Sequence, residues 1–265
     1  MGSVLAVCNQ KGGVGKSTTA VNIASYIALS GRKTLLVDLD AQGNASTSCG
    51  APRNLARDVY QAIINDVPLR EAVIQTPVDR LDLVPSSIEL AGAEPYLATL
   101  SGREFVIRRA CDAVRQEYEC VIFDCPPSLG LITVNAMVAA EKAIVPVQCE
   151  YLALEGLNSL MRAIELVKKN LNPALQLGGI VLTMTDFRSR LNREVAEEVR
   201  SYFKEAVFET AIPRNIRLAE APSFGKPICL YDPNSPGAIS YQLLAQEVMM
   251  RCGIGVRSEQ QAVGT

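Results

Sequence analysis

The sequence predicts an α/β fold, doubly wound, with a mostly parallel sheet. Three observations predict it. Short apolar runs recur along the chain and are continuous rather than alternating, as strands covered on both faces require. Helix-like segments separate them, giving the βαβα rhythm of a parallel sheet. A glycine-rich turn joins the first run to the first helix, the place where such folds bind phosphate.

The elements follow in order. "VLAVC" (4–8) is the first strand, and a helix over 17–30 follows the glycine-rich turn, with Gly31 placed to close it in a left-handed cap. "TLLVD" (34–38), "LDLV" (81–84), "CVIFD" (120–124), "AIVPVQ" (143–148) and "GGIVLT" (178–183) are the remaining strands. Helical patterns cover 55–64, 103–116, 155–170, 191–204 and 237–251. No repeat or long linker interrupts them, so a single domain over 1–253 is expected, followed by a polar, frayed tail over 254–265.

Composition narrows the function classes. The chain has 265 residues, 48% of them hydrophobic and 20% charged. That suffices for a large core without disulfides or metal. Its net charge of −2 gives no global basic field for nucleic acid, although a local basic face doubled by dimerisation remains open. Eight cysteines are scattered with no CxxC pair, which argues against zinc and fits buried free thiols in a reducing cytosol. There is no histidine, hence no histidine general base. No apolar run approaches the roughly 18 residues of a membrane span, and the N-terminus lacks signal-peptide character.

The chemistry is concentrated in "NQKGGVGKST" (9–18). Glycines let consecutive backbone N–H groups face phosphate oxygens, and the following helix adds its positive N-terminal end. Gly12, Gly13, Val14 and Gly15 form the cradle; Lys16 can bridge the β- and γ-phosphates, Ser17 can bind Mg²⁺ and Thr18 can reach the α-phosphate. The leading glycine of the general pattern is replaced by Gln10, and a second lysine stands at Lys11. Asp38 and Asp40 end the second strand, where α/β sheets bind ligands. Asp124 ends the fourth apolar run, a position suited to holding Mg²⁺ or one of its waters.

This is a deviant Walker A loop. Together with "LLVDLDAQGNAS", "VIFDCPPSLG", "PVQCEYLALEGL" and "IPRNIRLAEAPSFGKPICLYDP" it resembles the ParA/Soj partition ATPases, from the first strand to about residue 250. The resemblance implies ATP and Mg²⁺ as cofactors and two protomers sandwiching two nucleotides. In that arrangement Lys11 reaches the partner's phosphates, much as an arginine finger does. It implies that Asp40 activates or positions the attacking water, that 40–46 senses the γ-phosphate, and that Asp38 supports the magnesium shell or the loop. The family has proline where Ala41 stands, a loss of loop stiffness but of no chemical group. Glu150 is expected at an inter-protomer contact to Lys11 or to the nucleotide, and Pro213 against the adenine or in a turn. Arg188, Arg190 and Arg217 are expected to touch DNA phosphates, with Arg188 and Arg190 unranked.

The implied function is a switch: an ATP-bound homodimer coats double-stranded DNA without sequence preference and is reset by a ParB-like centromere-binding protein. The chain opens on its first strand, so the operator-binding extension of some plasmid relatives is not expected. A cytoplasmic, nucleoid-associated protein follows. A membrane regulator of the MinD kind would need a basic amphipathic C-terminal helix, which "RCGIGVRSEQQAVGT" lacks. An electron-transfer ATPase would need cluster-forming cysteines, and Cys125 alone fits no such pattern. A positioner of protein cargo remains open.

Overall fold

The computed structural model of the protein describes residues 2–52, 55–150 and 153–255. Seven strands form one sheet: β1 Ser3–Val7, β2 Thr34–Asp38, β3 Ile74–Gln75, β4 Leu81–Val84, β5 Cys120–Asp124, β6 Lys142–Gln148 and β7 Gln176–Thr183. Their order is β3-β4-β2-β5-β1-β6-β7. All neighbours are parallel except the β3–β4 pair at one edge. The helices are α1 Lys16–Leu29, α2 Asn44–Ser48, α3 Val59–Ile64, α4 Ala93–Leu97, α5 Val106–Asp112, α6 Leu131–Ala139, α7 Ala153–Asn170, α8 Arg190–Phe203, α9 Ile216–Glu220, α10 Ile228–Tyr231 and α11 Pro236–Cys252.

The continuous apolar runs have a simple cause. Successive strand side chains point to opposite faces. Val4, Ala6, Leu35, Val37, Val121 and Phe123 therefore enter one core, roofed by residues of α3, α5, α6, α7 and α8. Leu5, Val7, Leu36, Ile122 and Ile144 enter another, roofed by α1 and α11. With both faces covered, neither set of alternate positions can be polar.

Most expected elements are present with ends shifted by one or two residues. Gly31 sits at φ 92°, and its N–H donates to Ala28 O at 2.9 Å, the expected left-handed cap. Three expectations differ. The helix read over 55–64 starts only at Val59, because Asp58 turns its side chain onto the Gln61 N–H as an N-cap. The helix read over 103–116 is split into α5 with a 3-10 turn on either side. Helix α6 has no signature in the sequence: Ile132, Thr133 and Asn135 to Ala139 are all buried, so no apolar period marks it. The tail read over 254–265 falls outside the described residues beyond Gly255.

Register positions the site. Val7 pairs with Asp124, and Asp38 pairs with the same Asp124. The C-terminal ends of the three central strands are thus level, and both buried aspartates lie beneath the loop that leaves β1.

Candidate functional site: a nucleotide cleft

The loop over 8–15 is tied down from both sides. Asn9 is buried; its Nδ2 donates to Pro146 O at 2.7 Å and its Oδ1 accepts the Lys11 N–H at 3.0 Å. Thr183 Oγ1 donates to Val14 O at 2.8 Å, which fixes the loop to β7. Gly13 has φ 74° and Gly15 φ 85°. L side chains avoid that region, so these turns require glycine. Gly15 is the N-cap of α1 and supplies no side-chain cap, leaving the first-turn N–H groups for an anion.

Lys16 is only 6% exposed and donates from Nζ to Lys11 O at 2.9 Å. Burial lowers its pKa, while Asp124 and Asp40 pull it back up. A cavity of about 520 Å³ opens above it, lined among others by Gly12, Gly13, Ser17, Thr18, Asp40 and Pro127. Gly12, Gly13, Gly15, Lys16, Ser17 and Thr18 are therefore gathered around one space, whereas Val14, expected in the same cradle, is buried and lines neither that space nor the one beside it. Gly15, Thr18 and Met184 also line a second cavity of about 450 Å³, with Pro213, Ile216 and Tyr241 on its walls. The two spaces adjoin at Gly15, Thr18 and Met184, one ringed by polar groups and the other mainly by apolar side chains, as a nucleotide's phosphates and base demand. Pro213, expected against the adenine or in a turn, lines the second.

The two buried aspartates differ. Asp38 accepts from Asp40 N at 3.1 Å, from Ser46 N at 2.8 Å and from Ser46 Oγ at 2.7 Å, so both oxygens are occupied by the loop. Burial pushes its carboxyl up to about 6, and those bonds hold it from going further. Asp40 caps its own turn, its Oδ1 accepting the Gln42 N–H at 3.0 Å, yet it lines the phosphate cavity as well. Asp124 is fully buried, and neither oxygen has a hydrogen-bond partner among the described residues. Burial and the charge of Asp38 push its carboxyl well above the usual range; Ser17 and Lys16 pull the other way. An orphaned carboxylate beside the Ser17 hydroxyl suits a divalent cation that takes its other oxygens from phosphate and water. Among the described residues no group of three or more His, Cys, Asp or Glu side chains gathers, so an all-protein metal cage is absent there.

Lys11 points away from this space, at the exposed tip of the loop. Its Nζ lies 2.5 Å from Glu150 Oε2, with the two side chains 44% and 46% exposed. Glu150 is expected between protomers; within the chain it pairs with its own Lys11 and lines neither cavity, because the end of β6 lies beside the loop tip rather than over the phosphates. Each arginine expected on DNA also has an acid. Arg188 grips Asp186 with Nε at 2.9 Å and Nη2 at 3.1 Å; Arg190 meets Glu194 at 2.7 Å; Arg217 meets Glu220 at 2.9 Å and Asp232 at 3.4 Å. None of the three is a bare cation, although Arg188 and Arg190 are 92% and 86% exposed. Asn9, Thr183 and Met184 carry no signal in the sequence; the roles of the first two depend on contacts more than a hundred residues away, and the φ of 52° at Met184 only the backbone reveals.

Residues 2–177 match the AAA domain family. The sporulation initiation inhibitor protein Soj of Bacillus subtilis (strain 168) is 49% identical over 249 residues, 94% of this chain and 98% of that protein. The chromosome partitioning protein ParA of Myxococcus xanthus (strain DK1622) is 50% identical over 252 residues, 95% of this chain and 89% of that one. Among solved structures, cobyrinic acid a,c-diamide synthase from Mycobacterium smegmatis with bound ATP analog and magnesium superposes with a TM-score of 0.84 at 36% identity, covering 97% of this chain and 98% of that one. The Cyanothece McdA(D38A)–ATP complex has the same fold, with a TM-score of 0.84 at 20% identity over 96% of this chain and 97% of that one. No helix among the described residues is long and apolar enough to cross a membrane. Kinship of this extent, on a cleft shaped for a triphosphate, makes the protein a member of the ParA/Soj/MinD family of P-loop ATPases, one that binds ATP and magnesium, hydrolyses ATP and acts in partitioning or positioning.

Proposed function

We propose that the protein is a DNA-partitioning switch whose ATP-bound form is a nucleotide-sandwich homodimer. The observation that carries this reading is the placing of the two lysines. Lys16 is buried at the phosphate end of its own cleft, whereas Lys11 stands at the outer tip. Beside it, a Cβ placed at Gly12 or Gly13 would meet nothing within 4 Å, so a second chain has room to approach. A 2.5 Å ion pair between half-exposed groups is worth little in water and can be exchanged for a phosphate contact.

In this reading Lys16 and the N–H groups of Gly13 to Thr18 hold the β- and γ-phosphates. Ser17 and Asp124 would hold magnesium, which when bound neutralises charge on the phosphate oxygens. Asp40 orders the attacking water, and Lys11 of a second copy adds positive charge to the transition state. Pro213 packs on the adenine. The pairing of two copies doubles the phosphate contacts made by Arg188, Arg190 and Arg217, so an acidic chain binds DNA only when dimeric, and steeply salt-dependently. Among the described residues the cleft is lined by no strong base, so basal turnover is slow and a ParB-like partner accelerates it. Relatives at 49% and 50% identity carry partition or Soj names, which favours DNA cargo.

The test is ATP-dependent dimerisation and salt-sensitive DNA binding across five proteins, the unaltered chain and four variants. Lys16→Ala should lose nucleotide, Lys11→Ala should bind nucleotide without dimerising, Asp40→Ala should accumulate a DNA-bound dimer, and Arg217→Glu should dimerise without binding DNA. If Lys11→Ala dimerises and turns over ATP as the unaltered protein does, the sandwich reading fails.

A further inference from the structure

We infer that Asn192 is a positioning residue that couples the Lys11–Glu150 pair to Arg188, so that nucleotide state sets the availability of one DNA-facing guanidinium. The inference rests on the sandwich reading above and adds to it a route between the two ends of the molecule's chemistry.

The route is a short series of polar contacts. Glu150, the partner of Lys11, follows Cys149 directly at the end of β6. The Cys149 carbonyl accepts Asn192 Nδ2 at 2.9 Å. The other end of the same side-chain amide, Oδ1, accepts the Asp186 N–H at 2.9 Å. Asp186 in turn holds Arg188 three times: through its backbone N–H at 3.1 Å, Nε at 2.9 Å and Nη2 at 3.1 Å. Asn192 is thus the one side chain in this series that joins the end of β6 to the segment after β7. Only an amide of this length offers a donor at one end and an acceptor at the other; a hydroxyl is too short and a carboxylate repels the carbonyl.

The series has a reason to move. In the single chain Glu150 is neutralised by its own Lys11. When Lys11 turns to the phosphate of a second copy, Glu150 loses that partner and the turn over 148–150 resettles. The Cys149 carbonyl travels with that turn. Asn192 follows it or lets go, and in either case the Asp186 N–H changes partner geometry. Asp186 is the group that occupies Arg188, so a change in its position alters how freely that guanidinium meets a DNA phosphate. Arg190 pairs with Glu194 one helical turn away, and among the described residues no side-chain hydrogen bond ties that pair to Asp186, which ranks Arg188 above it as the state-dependent contact. Spatial continuity alone is not coupling, so the claim is put as a coupling measurement.

The experiment uses the full chain, a fluorescent double-stranded oligonucleotide of arbitrary sequence, and a non-hydrolysable ATP analogue or ADP with magnesium. Its readout is the ratio of DNA affinities in the two nucleotide states. Asn192→Ala and Asn192→Ser change no charge and touch neither cavity. In both, ATP-dependent dimerisation measured by sedimentation should stay within about twofold, while the affinity ratio falls about tenfold, equivalent to ~1.4 kcal/mol of coupling. In an Arg188→Ala background the same Asn192 changes should move the ratio by less than about twofold, the non-additivity expected of residues acting in series. A ratio that survives the Asn192 changes overturns the inference, as does an effect of undiminished size without Arg188, or loss of dimerisation in both variants. If the unaltered protein shows no ATP-dependent gain in DNA affinity, the sandwich reading itself falls and takes the inference with it. A large gain that Asn192 does not influence removes the inference alone.

Discussion

Ser46 is the most exacting place to test how the loop over 40–46 is held. Its Oγ donates to Asp38 Oδ2 at 2.7 Å and accepts the Ser86 N–H at 3.0 Å, joining α2 both to the buried aspartate and to the segment after β4. Ser46→Ala removes one hydrogen bond to a buried, ionisable carboxyl, a loss of about 2 kcal/mol, and leaves the Ser86 N–H short of its acceptor for about 1 kcal/mol more. The total is about 3 kcal/mol, which for a chain of this size corresponds to a Tm lower by roughly 6–12 °C. The control lies in the same helix. Ser48 Oγ donates only to Asn44 O one turn back, at 2.7 Å. Loss of that local bond should cost less than about 0.5 kcal/mol. Urea unfolding of both variants measures the difference directly, provided the m-value is unchanged. The ATP affinity of Ser46→Ala should fall as well, since the wall carrying Asn44, Thr47 and Ser48 loses its anchor. A Ser46→Ala cost no greater than that of Ser48→Ala would show that Asp38 does not hold the loop.

Three further outcomes are expected. A Cβ at Gly130 would collide with Glu94 Oε1, the oxygen that accepts the Ile132 N–H at the start of α6. Gly130→Ala should therefore cost about 1 kcal/mol in urea unfolding, and the cost should vanish when Glu94→Ala is already present. Asp186→Asn should raise DNA affinity about threefold at low salt and steepen its salt dependence by roughly one counterion per protomer, because Arg188 is released; an unchanged salt slope would remove Arg188 from the contact. Of the eight free thiols seven are buried and Cys229 is partly exposed, and burial pushes Cys8 and Cys111 up to about 12. A thiol reagent should label one site quickly in the native protein and the remaining seven after unfolding, and two or more fast sites would contradict this packing.

What could be read from the sequence was whatever neighbours along the chain decide. Glycines at 13 and 15, the lysine and serine that follow them, and an aspartate just past the second apolar run are local chemistry, and the cavity is lined by Gly13, Gly15, Lys16, Ser17 and Asp40. The acid partners of Arg190 and Arg217 lie four and three positions away, within reach of helix geometry alone. The folded chain alone determined the rest. Asn9 reaches Pro146, Lys11 reaches Glu150, Thr183 reaches Val14, and Asn192 joins Cys149 to Asp186. Asp38 and Asp124 are chemically alike in the sequence, yet one is filled by loop N–H and O–H donors and the other has no hydrogen-bond partner among the described residues. The physical reason is the sheet. Parallel strands need long crossovers, so residues level at its edge are far apart in the chain, and strand order and register, which no local pattern encodes, decide which of them meet.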